Sequence, residues 1–395
     1  MKDEEYMKMA LELSDRGQGC TSPNPLVGAV IVNNGRIIGR GWHRKYGGLH
    51  AEREAIKNAK ETAPELLKGA VMYVTLEPCC HYGKQPPCTE AIIEEGISKV
   101  VVGSQDPNPA VAGKGIKILR EHGIEVIGGV LKEQCDRQNE IFMHFIRTGT
   151  PYVALKYAMS ADGKIATHTG ESKWITNEKS REYVHRLRGR YSAIMAGIGT
   201  VLRDDPLLTC RIEGGRNPLR IICDSRLRIP TDSNIVRTAK EVPTIIATCT
   251  DDPEKASRLR DCGCRVLAIG KTSQKAACIA GANPAAYTEA ETAAAGEVPD
   301  LRELFKVLAD EGTDSILVEG GAALNWSALQ SGMVKKVYTF IAPKIFGGKG
   351  APSPIAGDGV NFPSEAVELC KSSITEFDGD FLIESEVKSR VYGNS

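Results

Sequence analysis

The chain has 395 residues, of which 42% are hydrophobic and 25% are charged, and its 50 basic residues balance its 50 acidic residues. This length predicts two domains, each with its own hydrophobic core. The zero net charge argues against a nucleic-acid backbone or an anionic membrane as a partner, because both attract basic proteins.

The first half of the chain alternates helical and strand patterns. A helix over residues 3–16 precedes a hairpin signal over residues 27–42, with Asn34 and Gly35 in its turn. Helical patterns then cover residues 50–60, 87–96, 113–122 and 131–147, and strand patterns cover residues 70–75, 99–103 and 125–130. This alternation predicts a layered α/β domain over residues 1–147.

A second α/β series follows a boundary at residues 148–151 and extends over residues 151–395. Strands are predicted at residues 152–159, 192–195, 219–223, 243–247, 265–269, 315–318, 336–343 and 374–387. Helices are predicted at residues 176–189, with Thr176 as the cap, and at residues 300–310 and 322–329. The stretch 276–296 is rich in alanine and polar residues and predicts a loose surface excursion.

Four residues in the first half form the ligand-and-base pattern of a catalytic zinc site. His50 and Glu52 open a predicted helix, Cys79 follows a predicted strand, and Cys88 opens the next helix. One imidazole and two thiolates leave the fourth position of a tetrahedral zinc open for water, whose pKa the metal lowers. Glu52 is then available to transfer protons. We therefore predict zinc ligands at His50, Cys79 and Cys88, and a general base at Glu52.

The residues around this pattern allow more than one interpretation. Cys80 adjoins Cys79, and neighbouring residues rarely reach the same metal, so we interpret Cys80 as a bystander thiol. Asn24 and His43 are expected to line a substrate pocket beside the metal, and His81 is a weaker candidate. The alternative for a histidine here is that it does not contact the substrate but hydrogen-bonds to a metal ligand and orients it.

The second half carries weaker local signals. Residues 318–324 are predicted to form the end of a strand, a glycine turn and the start of a helix. The backbone N–H groups of this turn could bind a phosphate, or the turn could be only a tight connection from strand to helix. Arg188 and Arg211 offer planar donors suited to a substrate phosphate, and each alone is equally compatible with a solvated or ion-paired surface residue.

The cellular setting follows from the absence of targeting signals. The first residues lack the apolar core of a signal peptide, and no apolar run approaches the length of a membrane span. We expect a cytoplasmic protein in which most of the 12 cysteines are reduced and fill apolar space.

Two sets of motifs together cover most of the chain: residues 22–28, 41–43, 50–52 and 76–88 in the first half, and residues 155–156, 159–166, 170–176, 199–206, 208–211, 224–225 and 318–321 in the second. In these motifs, and over nearly its whole length, the chain resembles the bifunctional riboflavin-biosynthesis enzymes, which join a pyrimidine deaminase to a 5-amino-6-ribosylamino-uracil phosphate reductase. Eight residues separate Cys79 from Cys88, whereas nucleic-acid and nucleoside deaminases usually have about two in this gap.

This resemblance implies a cytidine-deaminase-like three-layer domain followed by a dihydrofolate-reductase-like α/β domain that uses NADPH. It implies zinc-dependent deamination of 2,5-diamino-6-ribosylamino-4(3H)-pyrimidinone 5′-phosphate, then reduction of the ribosyl group of the resulting uracil to ribityl. The implied cofactor contacts are Ala158, Trp174, Thr200, Asp204, Ser225 and Gly321. The implied substrate contacts in this half are Lys156, Ser172, Arg188, Leu208, Arg211 and Glu319. Family members often form homo-oligomers through the reductase domain.

Two other functions compete with this interpretation. The first is a zinc deaminase of a free base or tRNA with a second domain that is not a reductase, for which the neutral charge is unfavourable. The second is a non-catalytic ligand-binding module held together by a structural zinc, which would show a fourth protein ligand to the metal.

Overall fold

The structure, a computed structural model, describes residues 1–272 and 298–388, so the predicted excursion at 276–296 lies outside the described residues. The chain divides into two units, one of Met1–Thr150 and one that begins at Pro151. Among the described helices, none has the length and apolar character needed to cross a membrane.

The first unit is built on a five-stranded sheet in the order β2-β1-β3-β4-β5. Strand β1 pairs antiparallel with β2 and β3, whereas β3, β4 and β5 are parallel. The elements are α1 (Asp3–Asp15), β1 (Gly28–Asn33), β2 (Arg36–Trp42), α2 (Ala51–Thr62), β3 (Val71–Leu76), α3 (Cys88–Glu94), β4 (Lys99–Ser104), α4 (Lys114–Glu121), β5 (Glu125–Gly128), α5 (Lys132–Gln138) and α6 (Glu140–Thr148).

Helices cover both faces of this sheet, which explains why its inner strands β1, β3 and β4 are mostly apolar, whereas the edge strand β2 exposes Arg36 and Arg40. Ile31 of β1 packs in a core with residues of α2, α3 and α4, and the next residue, Val32, packs in a core with residues of α1 and α5. Helix α2 approaches β2 so closely that only glycine fits at position 41. A Cβ there would lie 2.3 Å from the carbonyl oxygen of Ala51. This contact holds the first turn of α2, with Glu52, against the sheet.

The second unit contains a nine-stranded sheet in the order β10-β9-β8-β7-β13-β6-β14-β16-β15. Neighbouring strands from β10 to β14 run parallel, and β14, β16 and β15 are antiparallel. The elements are β6 (Tyr152–Ser160), α7 (Glu178–Arg190), β7 (Ala193–Gly197), α8 (Ile198–Asp204), β8 (Leu219–Cys223), α9 (Asn234–Arg237), β9 (Thr244–Thr248), α10 (Pro253–Asp261), β10 (Arg265–Ala268), β11 (Lys271–Thr272), β12 (Val298–Pro299), α11 (Leu301–Asp310), β13 (Ser315–Val318), α12 (Ala322–Gln330), β14 (Val334–Ala342), β15 (Leu369–Phe377) and β16 (Asp380–Val387). Strands β11 and β12 form a separate two-stranded ladder.

Three predicted elements differ from the structure. The predicted helix 131–147 is two helices that meet at Asn139, whose side chain bonds the backbone N–H and carbonyl of Leu26, both at 2.8 Å. The cap of α7 is Asn177, which accepts from the amide of Ser180 at 3.0 Å, and the prediction of Thr176 was wrong. The predicted closing strand 374–387 is the hairpin of β15 and β16, which turns at Asp378 and Gly379, both with positive φ.

Candidate active sites

Three side chains converge at the metal site predicted in the first unit. His50 is the residue that caps α2, Cys79 lies after β3, and Cys88 is the first residue of α3. The Nδ1 atom of His50 lies 3.4 Å from the Sγ atoms of both Cys79 and Cys88. All three ligand atoms lie within 4.8 Å of one another, and no fourth metal-binding side chain among the described residues joins them.

Backbone contacts hold the two cysteines in place. The carboxylate of Glu77, two residues before Cys79, accepts from the amide of Gly113 at 3.0 Å and from that of Ile116 at 3.2 Å, at the start of α4. The amide of Cys88 donates to the Sγ of Cys79 at 3.4 Å. The segment after β3 is therefore fixed by α4 on one side and by α3 on the other.

The chemistry of these donors fits zinc. A hydrogen bond from Cys88, together with His50, lowers the pKa of Cys79 to about 4, so this sulfur is a thiolate at neutral pH. Thiolate and imidazole donors are those that zinc prefers. Cys80 lies outside the group, with its Sγ 3.9 Å from the carbonyl oxygen of Ala110, as expected of a bystander thiol.

Glu52 is only 3% exposed and lines a cavity that His50 and Cys79 also line. Burial raises the pKa of its carboxyl to about 7, and the positive charge of a bound metal ion would act in the opposite direction. The carboxyl also has a hydrogen bond with Cys88. Glu52 is thus a buried carboxyl beside the metal ligands, as a proton-transfer group requires.

This cavity, in front of the metal ligands, has a volume of about 240 Å³, and Asn24 and His43 also line it. His43 places Nδ1 2.9 Å from the carbonyl oxygen of Leu49 and Nε2 3.2 Å from Nδ2 of Asn24. Nδ1 therefore donates and Nε2 accepts, which assigns a neutral imidazole. Burial lowers the pKa of His43 and so favours this state.

A second cavity, of about 1160 Å³, lies in the second unit. Its wall includes all twelve residues that the resemblance implies for the reductase half: Lys156, Ala158, Ser172, Trp174, Arg188, Thr200, Asp204, Leu208, Arg211, Ser225, Glu319 and Gly321. Several follow the carboxyl ends of the parallel strands β7, β8 and β13, the edge at which open α/β sheets bind ligands. Their individual roles remain predictions.

The most strongly ionic part of this cavity is centred on Glu319. Nε and Nη2 of Arg188 donate to its two carboxylate oxygens at 2.8 and 3.0 Å, and Nζ of Lys156 lies 3.6 Å away. Burial acts to raise the pKa of Glu319, but the two cations outweigh it and lower the pKa to about 2. Glu319 is therefore ionised, whereas burial lowers the pKa of Lys156. The Nε and Nη2 donors of Arg188 are already engaged here, whereas Arg211 is exposed at the cavity.

The cavity has the features that a dinucleotide needs. Pockets for one small ligand usually measure about 300–1,000 Å³, so this cavity has room for a cofactor and a second molecule. Gly321 caps α12, and the residues of the first turn of this helix also line the cavity, as in anion sites at helix N-termini. Within the described residues, the buried Oδ1 of Asn325, also in the wall, has no hydrogen-bond partner. Trp174 is 63% exposed, with the guanidinium of Arg181 over its ring at 4.6 Å.

The structure adds residues that the sequence analysis missed. Asp106 and Phe142 line the smaller cavity and Asn325 lines the larger one. Asp106 could have been found, because it follows β4, whose carboxyl end lies beside that of its parallel neighbour β3. Asn325 carries no comparable signal, since it lies within an apolar helix.

Comparisons with known proteins agree with the two units. Residues 1–104 match the model of the cytidine and deoxycytidylate deaminase zinc-binding region, and residues 151–383 match the RibD C-terminal domain. The riboflavin biosynthesis protein RibD of Actinobacillus pleuropneumoniae is 48% identical over 97% of this chain and 94% of its own length. The chain belongs to the RibD family. RibD of Bacillus amyloliquefaciens is 41% identical over 96% of this chain and 94% of its own length.

Solved structures support the same assignment. A RibD structure from Acinetobacter baumannii has a TM-score of 0.81 and 33% identity, and covers 98% of this chain and 99% of its own. The Thermotoga maritima diaminohydroxyphosphoribosylaminopyrimidine deaminase/5-amino-6-(5-phosphoribosylamino)uracil reductase has a TM-score of 0.79 and 37% identity, with coverage of 98% and 99%. As a RibD-family enzyme, the chain joins a cytidine-deaminase-like zinc domain to a dihydrofolate-reductase-like, NADPH-dependent domain.

The family settles the choice between the functions considered for the sequence. The chain is a bifunctional riboflavin-biosynthesis enzyme, a hydrolase and an oxidoreductase that acts on a small-molecule substrate. A deaminase without a reductase is not favoured, because the RibD C-terminal domain spans most of the second unit. A structural zinc is not favoured either, because the described metal group has three ligands and not four.

Proposed function

We propose that His50, Cys79 and Cys88 hold the zinc and that Glu52 is the proton-transfer group in deamination of 2,5-diamino-6-ribosylamino-4(3H)-pyrimidinone 5′-phosphate. The observation that carries this proposal is the convergence of one imidazole and two thiol groups beside a buried carboxyl. When bound, zinc lowers the pKa of a water molecule and thereby supplies the nucleophile. We assign this reaction to residues 1–147 and the reduction to residues 151–395.

The residues of the first unit handle the substrate and its protons. The carboxylate of Glu52 takes one proton of the attacking water and passes it to the ring nitrogen, and then passes the second proton of that water to the amino group, which leaves as ammonia. Asn24 and His43 both line the cavity, and the hydrogen bond from Nδ2 of Asn24 to Nε2 of His43 fixes the two side chains as contacts for the pyrimidine. Ammonia loss then yields the uracil.

The residues of the second unit position the uracil product for reduction. When bound in the cavity, NADPH would supply the hydride that reduces C1′ of the opened ribosyl group. Arg211, exposed at the cavity, binds the phosphate, and Glu319 orients the sugar hydroxyls while Arg188 and Lys156 keep it ionised. This chemistry needs no protein nucleophile, so positioning within the cavity is the contribution of the chain.

A coupled assay with and without a zinc chelator tests both halves at once. Without chelator, we expect ammonia release from the diaminopyrimidine and oxidation of NADPH, which is measured as a fall in the absorbance of NADPH. After chelation and removal of the metal, ammonia release should stop, because the nucleophile is no longer generated at neutral pH. NADPH oxidation with supplied uracil intermediate should continue, because the second cavity contains none of the metal ligands. Ammonia release that survives loss of the metal would contradict the zinc proposal.

The terminal hairpin supports the expected homo-oligomer. Ile374 of β15 is 68% exposed and Phe381 of β16 is 43% exposed, and they lie on one face of the hairpin. β15 ends the sheet order, so its outer edge has no strand partner among the described residues. An apolar face beside an open strand edge is a site for association, and we propose a second copy of the chain as the occupant.

Ile374→Lys tests this assembly. A charge at the centre of the apolar face should shift the protein from oligomer to monomer in light scattering coupled to size-exclusion chromatography. Thr375→Lys is the matched control, because the next residue of the strand points to the other face. An unchanged mass for Ile374→Lys, or an equal shift for both variants, would reject this face as the interface.

The proposals on other partners and on the cellular compartment rest on the net charge of the chain and on its buried thiols. The zero net charge gives no reason to propose a nucleic-acid or membrane partner. Buried thiols such as Cys135 and Cys264 fit a reducing compartment, for which we propose the cytoplasm.

A further inference from the structure

We infer that Arg220, acting with Asn234, is a positioning residue for the reductase site, because it holds the segment 204–208 that carries both a cofactor and a substrate contact. This inference rests on the proposed function, in which Asp204 contacts the cofactor and Leu208 contacts the substrate. Arg220 itself is absent from the wall of the cavity and therefore acts through its neighbours.

Arg220 lies in β8 with none of its surface exposed. All of its N–H groups have acceptors, and within the described residues none of these acceptors is a carboxylate. Nε donates to Thr244 Oγ1 at 3.0 Å, Nη1 to the Leu207 carbonyl at 3.1 Å and Thr238 Oγ1 at 2.8 Å, and Nη2 to the carbonyls of Ile235 at 2.9 Å and Val242 at 3.0 Å. The planar fork of a guanidinium is what allows one side chain to join this many elements.

The segment that Arg220 reaches has an unfavourable backbone conformation. Asp205 and Leu208 have φ of 38° and 51°, in the left-handed region that residues with a Cβ adopt at a cost. Such a conformation persists only where surrounding contacts impose it. The segment therefore depends on contacts outside itself to keep Asp204 and Leu208 at the wall of the cavity.

Asn234, the first residue of α9, supplies the second set of contacts. Its amide donates to Oδ1 of Asp205 at 2.8 Å, and its Nδ2 donates to the carbonyl of Asp205 at 2.9 Å. Thr238 connects the two sets, because its hydroxyl donates to the carbonyl of Asn234 at 2.6 Å and accepts from Arg220. The contacts at Asp205 and at Leu207 thus flank Pro206 and hold it on both sides.

The energetics favour a role for this cation beyond packing. Burying a charge without an anionic partner costs free energy unless every donor has a hydrogen-bond acceptor. An apolar residue at the same strand position could be buried without this desolvation cost. Burial lowers the pKa of Arg220 to about 10, so the group stays protonated at neutral pH. The retained positive charge is directed at backbone carbonyls, and one of them belongs to the segment at the wall.

Arg220→Lys and Asn234→Ala test the inference in the full-length protein. Lysine keeps the charge but cannot reach the same set of acceptors. Asn234 is partly exposed at the wall of the cavity, so its removal leaves the core intact, and Arg220→Lys is the variant that separates positioning from direct contact with a ligand. We expect the Kd for NADPH and the KM for the uracil intermediate to rise about three- to tenfold in each variant, as for the loss of one or two hydrogen bonds. We expect kcat to change by less than about twofold.

Arg265→Lys is the matched control, because Arg265 lies on β10 and pairs with Glu311 at the surface. Its Kd and KM should equal those of the wild type. Deamination in the same preparations reports the amount of intact protein. If the role were purely structural, kcat would fall in proportion to the fraction of folded protein, and Kd and KM would stay unchanged. That result in Asn234→Ala would overturn the inference, even if Arg220→Lys failed to fold. Wild-type protein that binds NADPH but does not oxidise it would reject the proposed function instead, and the Kd values would still decide the inference.

Discussion

Replacement of Glu52 by Gln is expected to abolish ammonia release while NADPH oxidation with supplied uracil intermediate continues at the wild-type rate. Gln has nearly the same shape as Glu but cannot accept and return a proton, so deamination should fall by about 10²- to 10⁴-fold. The metal should remain bound, because Glu52 is not one of the three ligands. Ammonia release, NADPH absorbance and zinc content are measured on the same preparation.

Glu61→Gln supplies the control for this substitution. Glu61 lies on the same helix as Glu52 but is exposed, so the same chemical change is made outside the cavity. Both reactions should be unaffected. Deamination by Glu52→Gln at a rate near that of the wild type would show that another group transfers the protons. Loss of zinc in this variant would show instead that the carboxylate belongs to the ligand set.

The strands of the second unit show which parts of the fold were accessible from the sequence. Strands Leu219–Cys223 and Ser315–Val318 coincide with the predicted ranges, because short apolar runs between breakers allow few other interpretations. Helix α8 was missed because it follows β7 without a polar spacer, so the apolar pattern has no visible change of period. Helix α9 has only four residues, too few to show periodicity.

The two sites differ in how far the sequence could predict them. The metal site was accessible because His50 and Glu52 are close in the chain and Cys79 and Cys88 follow at a diagnostic interval. The reductase site is assembled from strand ends far apart in the chain, so its residues were reached through resemblance to a family. Arg220 was not singled out at all, because a lone arginine in a strand gives no sign that its donors bond segments more than ten residues away.

The adjacent cysteines allow a second large effect to be predicted with a matched pair of variants. Cys79→Ser should lose most of its zinc and at least about 100-fold in deamination, because even residues that only support metal ligands contribute about 10- to 100-fold. A serine hydroxyl stays protonated at neutral pH and is a poor replacement for the Cys79 thiolate. Cys80→Ser makes the same atomic change one residue away, outside the ligand group, and should keep both zinc and activity.

Zinc content per chain, ammonia release and thermal unfolding together decide between the two cysteines. The ligands come from the start of α2, the segment after β3 and the start of α3, so a bound metal joins three parts of the first unit. Because a metal that binds only the folded state stabilises it, Cys79→Ser should unfold at a lower temperature than Cys80→Ser. A chelator should remove this difference by bringing Cys80→Ser down to the temperature of Cys79→Ser. If Cys80→Ser loses the metal and Cys79→Ser retains it, the ligand set must be redrawn around Cys80, with the segment after β3 turned to present the second sulfur.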